Sequence, residues 1–179
     1  KAGWSPATVV ALTGVQLHLN TCTSASALIE GRFDDIVLAT GVRPRPSGIP
    51  GADGPNVLSY IDVLLHNQPV GARVAVIGAG GIGFDVAEFL VTAPGHSPTL
   101  HLPEWLAEWG VADPATARGG VVPARAAAPA RRVTLLQRKA GKLGRGLGKT
   151  TGWIHRATLQ MKQVEMLGGV HYERITPQG

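Results

Sequence analysis

Three stretches of the 179-residue chain carry residue types and spacings suited to a phosphate-bearing ligand. The first is Gly78-x-Gly80-x-x-Gly83. In such a loop the three glycines do different work. Gly78 allows a sharp turn, Gly80 lets a pyrophosphate approach the backbone, and Gly83 lets a helix pack close to a strand. A pyrophosphate then rests on the unpaired N–H groups of the first helical turn. The second stretch is Gln137-Arg138-Lys139, which closes an apolar run at the place where NAD-binding sites put an acidic residue for the ribose 2′-hydroxyl. A carboxylate there would repel a 2′-phosphate, whereas a guanidinium holds it through charge-assisted bonds. The pair therefore points to NADPH in preference to NADH. The third stretch, Gly144-Arg145-Gly146-Leu147-Gly148-Lys149-Thr150, imitates a Walker loop. That motif needs glycine five residues before the Gly-Lys pair; Leu143 stands there, so an ATP or GTP site is not expected. Lys142, Arg145 and Lys149 still add positive charge near the expected 2′-phosphate.

Proton-transfer chemistry is not visible. No paired carboxylates and no nucleophile–histidine arrangement stand out, and the six histidines lack metal-ligand spacing. The lone cysteine, Cys22, excludes an internal disulfide and any cysteine-clustered metal site within this chain.

The elements that must position these residues can be read from periodicity. Arg73–Ile77 is an apolar strand entering the glycine loop, and residues 84–90 leave it as a helix that Pro94 and Gly95 end. Residues 94–131, with six prolines, are irregular, apart from one helical turn near Glu104 to Trp109. Val133–Gln137 is a second strand, residues 151–167 a long helix with Gly168-Gly169 as its C-cap, and Val170–Ile175 a third strand. Upstream, Thr8–Leu12 is a short apolar run, Gly14–Asn20 alternates like a strand, Ser24–Gly31 is a helix or turn, and Ile36–Ala39 is of buried-strand type. The proline-rich stretch from Arg43 to Gly51 is an extended linker, and Val57–Asn67 a short helix. The fold class is α/β: a Rossmann-like dinucleotide-binding domain, βαβαβ with a long insertion.

Composition sets outer bounds. Apolar residues make up 44%, enough for one ordinary core, and no run approaches the roughly 18 residues of a membrane span. The start of the chain lacks a signal-peptide pattern, so a soluble, cytoplasmic protein without a membrane partner is expected. A net charge of +5 favours anionic ligands. Aromatic residues are only 5% and the arginines cluster in loops, which argues against a nucleic-acid-binding module.

Beyond these readings, several segments resemble a known family. Val37-Leu38-Ala39-Thr40-Gly41-Val42-Arg43-Pro44-Arg45 resembles the second flavin-contacting motif of flavoproteins with two dinucleotide domains. Val76 to Asp85, Leu135 to Lys139 and Gly146 to Arg156, the last containing Gly152-Trp153-Ile154-His155-Arg156, are similar to bacterial NADPH-dependent 2,4-dienoyl-CoA reductases. The resemblance implies a modular oxidoreductase. An FMN-bearing (β/α)₈ barrel and a [4Fe–4S] centre come first, in domains absent from this chain, and FAD and NADPH domains follow. Hydride would pass from NADPH to FAD, and electrons onward to the substrate.

On that basis residues 1–68 are the C-terminal part of an FAD-binding domain with its linker, and 69–179 are an NADPH-binding domain truncated at its C-terminus. The partners are then NADPH and the remainder of the same polypeptide. Gly78, Gly80, Gly81 and Gly83 match the NADPH phosphate loop, and Arg138 and Lys139 the 2′-phosphate reader. Ala39, Thr40 and Gly41 match the flavin-side strand end, and Cys22 the chain beside the FAD adenine. No catalytic residue is carried over, so the isolated chain is expected not to perform the full reaction. A competing resemblance is to trimethylamine and histamine dehydrogenases, in which this dinucleotide domain is degenerate. The intact glycine loop and Arg138-Lys139 argue against it.

Overall fold

The computed structural model describes residues 12–95 and 97–179. The chain divides into two compact units, Lys1–Arg43 and Pro44–Gly179.

In the first unit the described residues include a short helix, α1 (Ala25–Glu30), started by Ser24, whose hydroxyl accepts the Ala27 N–H. The expected strands at Gly14–Asn20 and Ile36–Ala39 do not form, and Val37 and Leu38 are exposed. The apolar pattern there suits a strand, but a strand is stable only with hydrogen-bonded neighbours, and among the described residues these two runs have none. Of the expected apolar run Thr8–Leu12, residues 8–11 lie outside the described part.

The second unit begins with the linker and α2 (Tyr60–Leu64). A reciprocal cap starts this helix: Ser59 Oγ accepts the Asp62 N–H, and the Asp62 carboxylate accepts from both the Ser59 N–H and hydroxyl. Hydrogen bonds from the Ser59 hydroxyl and then its amide hold the Asp62 carboxyl below its ordinary value of 3.8. Val63 is buried in the core and Tyr60 packs against it.

Three parallel strands follow in spatial order β1–β2–β3: β1 (Arg73–Ile77), β2 (Arg132–Gln137) and β3 (Glu165–Gly168). Val74 lies opposite Val133 and Ile77 opposite Leu136; Thr134 pairs with Glu165 and Gln137 with Gly168. The helix α3 (Gly81–Val91) connects β1 towards β2. It lays Phe84, Ala87, Leu90 and Val91 against Val133 and Leu135 to form the core. The helix α5 (Gly152–Met161) packs beside α3, contributes Leu159 to the same core, and brings His155 Nδ1 within 3.5 Å of Glu88. The expected βαβαβ order holds, and the fold is Rossmann-like.

One boundary moved. The long helix expected to reach residue 167 ends at Met161, and the third strand lies at Glu165–Gly168 rather than at 170–175. Gln163 adopts a left-handed conformation (φ 57°), which breaks the helix and lets Val164 and Met166 join the core with strand alternation. Gly168 closes a strand instead of preceding a C-cap glycine. After it the chain crosses to the linker, where the Ile175 N–H donates to the Pro50 carbonyl.

The excursion between α3 and β2 is ordered by α4 (Leu102–Trp109). Gly110 ends α4 in the left-handed region, and the Val111–Val121 bridge closes the loop behind it. An ion pair ties this insertion to the core: Glu108 on α4 lies 2.5 Å from Lys162 Nζ at the end of α5, and Lys162 also donates to the Ala127 carbonyl. Both residues are buried. Breaking a buried pair from one side strands a charge, at a cost of about 3–5 kcal/mol, whereas an apolar pair of similar volume is often neutral. Lys162→Ala should therefore lower stability by about that amount in urea denaturation, and Lys162→Met with Glu108→Leu should recover most of it. A Lys162→Ala variant within about 0.5 kcal/mol of the parent would contradict this role.

Candidate functional site

The site is built where β1 and β2 end. Hydrogen bonding continues one residue past β1: the Gly78 N–H donates to the Leu136 carbonyl at 2.9 Å. That bond sets the glycine turn beside the residues that lead into Arg138 and Lys139. The two sequence-predicted groups, 60 residues apart in number for Gly78 and Arg138, thus share one edge of the sheet.

The glycines of the loop sit in different surroundings. Gly78 has φ 110°, a conformation that side-chain-bearing residues rarely adopt. A Cβ on Gly83 would fall on the Gly78 carbonyl oxygen and lie 3.6 Å from Leu135 Cδ1, so helix and strand meet closely at this point. A Cβ on Gly80 or Gly81 would meet nothing within 4 Å. These two glycines leave open space directly in front of the N-terminus of α3. Gly80 is the N-cap of that helix and supplies no side-chain cap, and no acidic side chain occupies the first turn. The first-turn N–H groups and the positive end of the helix dipole are free of a competing anion from the first turn, which is the arrangement a pyrophosphate requires.

On the β2 side, Arg138 and Lys139 are exposed. Gln137 turns its side-chain amide onto the carbonyls of Lys139 (2.9 Å) and Gly141 (3.4 Å), shaping the loop that follows. The Gly169 N–H donates to the Lys139 carbonyl and the Val170 N–H to the Gln137 carbonyl, which draws residues 169–172 alongside. Tyr172 consequently comes within reach of the Arg138 charge. Burial raises the Tyr172 phenol above its ordinary value of 10.0, and the Arg138 charge pulls it back. Sequence reading alone missed Tyr172, because only the register of β3 on β2 brings it within reach of the Arg138 charge.

The expected flavin-side residues belong to the other unit. Ala39, Thr40, Gly41 and Cys22 are exposed, and Gly41 has φ 75°. Among the described residues, no group of three or more His, Cys, Asp or Glu could hold a metal ion, and no helix is long and apolar enough to cross a membrane.

With the turn, the free helix end and the basic strand end in view, comparison with known proteins is informative. Residues 8–179 match the pyridine nucleotide-disulphide oxidoreductase family. The chain belongs to that family. At family level the chemistry is NAD(P)-dependent flavin oxidoreduction. A cinnamate reductase of Clostridium sporogenes is 40% identical over 77 residues, 43% of this chain and 11% of that protein. A metal reductase of Desulforamulus reducens is 27% identical over 167 residues, 86% of this chain and 22% of that protein. The chain therefore spans a tenth to a quarter of the length of these curated relatives. A 2-naphthoyl-CoA reductase, solved with 2-naphthoyl-CoA, superposes with a TM-score of 0.58 at 21% identity, covering 95% of this chain and 20% of that one. This last likeness establishes the fold.

The different surroundings of the glycines predict different failures. Gly83→Ala should destabilise the fold by about 1–3 kcal/mol through overpacking against Gly78. Gly80→Val should cost less, under about 1 kcal/mol for the poorer N-cap, and weaken NADPH and NADH alike. Equal stability losses in the two variants, measured by thermal unfolding, would contradict the assignment of one glycine to packing and the other to ligand approach.

Proposed function

We propose that this chain is the NADPH-binding, electron-input part of a flavin-dependent reductase of the 2,4-dienoyl-CoA reductase type. The observation that carries this reading is the Gly78–Leu136 hydrogen bond, which sets a basic strand end beside a glycine turn whose helix end is uncapped. The cinnamate reductase, the metal reductase and the 2-naphthoyl-CoA reductase named above support the reductase class.

In this reading Gly78, Gly80, Gly81 and Gly83 hold the pyrophosphate of NADPH against the start of α3. Arg138 lies across the 2′-phosphate, and Lys139 adds a more mobile charge. Bound dinucleotide supplies a hydride, for which FAD in the intact enzyme is the acceptor. The protein's own contribution is to bind and orient. Ala39, Thr40, Gly41 and Cys22 are proposed to face the flavin. The single cysteine means that no dithiol within this chain receives the electrons. FMN, a [4Fe–4S] centre and the substrate site are proposed to belong to the remainder of the polypeptide, and the isolated chain is not expected to turn over a dienoyl-CoA.

The discriminating group is the 2′-phosphate. A hydrogen bond to a charged group contributes roughly 1.5–3 kcal/mol, and 1.4 kcal/mol is about tenfold in affinity. NADPH should therefore bind roughly 10- to 100-fold more tightly than NADH in titration calorimetry. Arg138→Ala should remove most of the difference with little change in NADH affinity. Equal affinities for the two cofactors, or unchanged discrimination in Arg138→Ala, would sink the assignment.

A further inference from the structure

The loop between β2 and α5 lines an open depression of about 430 Å³ whose lining includes Lys142, Arg145, Lys149 and Arg156 and no carboxylate. Four cations around one space repel each other, so the chain needs a reason to hold them there. The loop is held firmly. Leu143 is buried, Leu147 packs on the core, Gly144 presses on the Phe84 ring, and Gly152 lies against Leu147. The Arg156 guanidinium, partly buried, donates to the Gly144 carbonyl at 3.1 Å, so its position is fixed by the loop it faces. Gly144 adopts a left-handed conformation (φ 69°), which favours glycine where the loop closes down on α3. Apolar anchors point inward while exposed Lys142, Arg145 and Lys149 are left around the opening.

We propose that this basic cup is a binding site for a phosphomonoester dianion. Two arginines offer planar forks that match phosphate oxygens, and two lysines add compact charge. A carboxylate ligand would use one such fork and leave the remaining cations unneutralised. The depression is also wider than a phosphate needs, leaving room for the sugar or chain that carries it. A nucleic-acid backbone fits poorly, because the four charges converge on one depression instead of following a groove. The phosphomonoester comes either from the 2′-position of the dinucleotide, in which case the inference rests on the function proposed above, or from a second phosphorylated ligand.

The test is titration of the full chain with inorganic phosphate at constant ionic strength, followed by heat or by amide NMR shifts. The comparison variant is Arg145→Glu with Lys149→Glu. Both side chains are exposed, so folding should survive, and Arg132→Glu, at the opposite end of β2, serves as the charge control. The proposal predicts saturable phosphate binding that weakens at least about tenfold in the double variant and is unchanged in the control. Repeating the titration with saturating NADPH separates the two sources. Competition assigns the cup to the 2′-phosphate, and undiminished phosphate binding assigns it to a second ligand. No saturable binding by the parent chain, or equal weakening in control and double variant, would overturn the cup whatever the Arg138→Ala result. Loss of NADPH discrimination in Arg138→Ala with phosphate binding retained would uphold both assignments.

Discussion

The parallel pairing of β1 with β2 is the constraint on which the rest of the molecule depends. Parallel strands cannot be joined by a tight turn, so the chain must cross over, here through α3 and a folded insertion. The pairing ends with the Gly78 N–H on the Leu136 carbonyl, and this determines what meets at the carboxyl edge of the sheet. A register slip of one residue would turn Val133 and Leu135 out of the core and carry Arg138 to another place on the edge. Close contact of Gly83 with Gly78 and Leu135 then fixes how α3 leaves the turn, and so where its free N–H groups point.

Around that edge the protein separates packing from charge. Phe84, Leu90, Val133, Leu135 and Leu159 fill the interior, while Arg138, Lys139, Lys142, Arg145 and Lys149 are all exposed on the loop that follows β2. The loop stays shaped although its surface is strongly basic, because Gln137 binds its carbonyls and Leu143 and Leu147 anchor it. The insertion follows the opposite rule. It carries its one deeply placed charge, Glu108, inward to meet Lys162. Its position thus depends on an electrostatic contact with the far end of α5, away from the glycine turn.

Much of this was legible in the sequence where local pattern and fold agree. Arg73–Ile77, the glycine loop and Val133–Gln137 have the composition and punctuation of strand, turn and strand, and each forms as expected. Two kinds of feature were not legible. Ile36–Ala39 has strand-like residues, but strand formation depends on neighbours that local composition does not specify. The end of α5 depends on Gln163 entering a left-handed conformation, for which the sequence offers no glycine or proline signal. Long-range neighbours were hidden for the same reason. The Arg138 charge comes within reach of Tyr172, and Arg156 closes on Gly144, only after β3 and α5 have docked.

The central claim is that one ligand spans the glycine turn and the basic loop. Amide NMR of the full chain during NADPH addition tests it most directly. The account predicts that the largest shifts fall on Gly78 to Gly83 and on Arg138 and Lys139, with the N-terminal end of β2 undisturbed. Shifts confined to other parts of the chain, or a perturbed glycine turn with Arg138 and Lys139 unaffected by the 2′-phosphate, would contradict it.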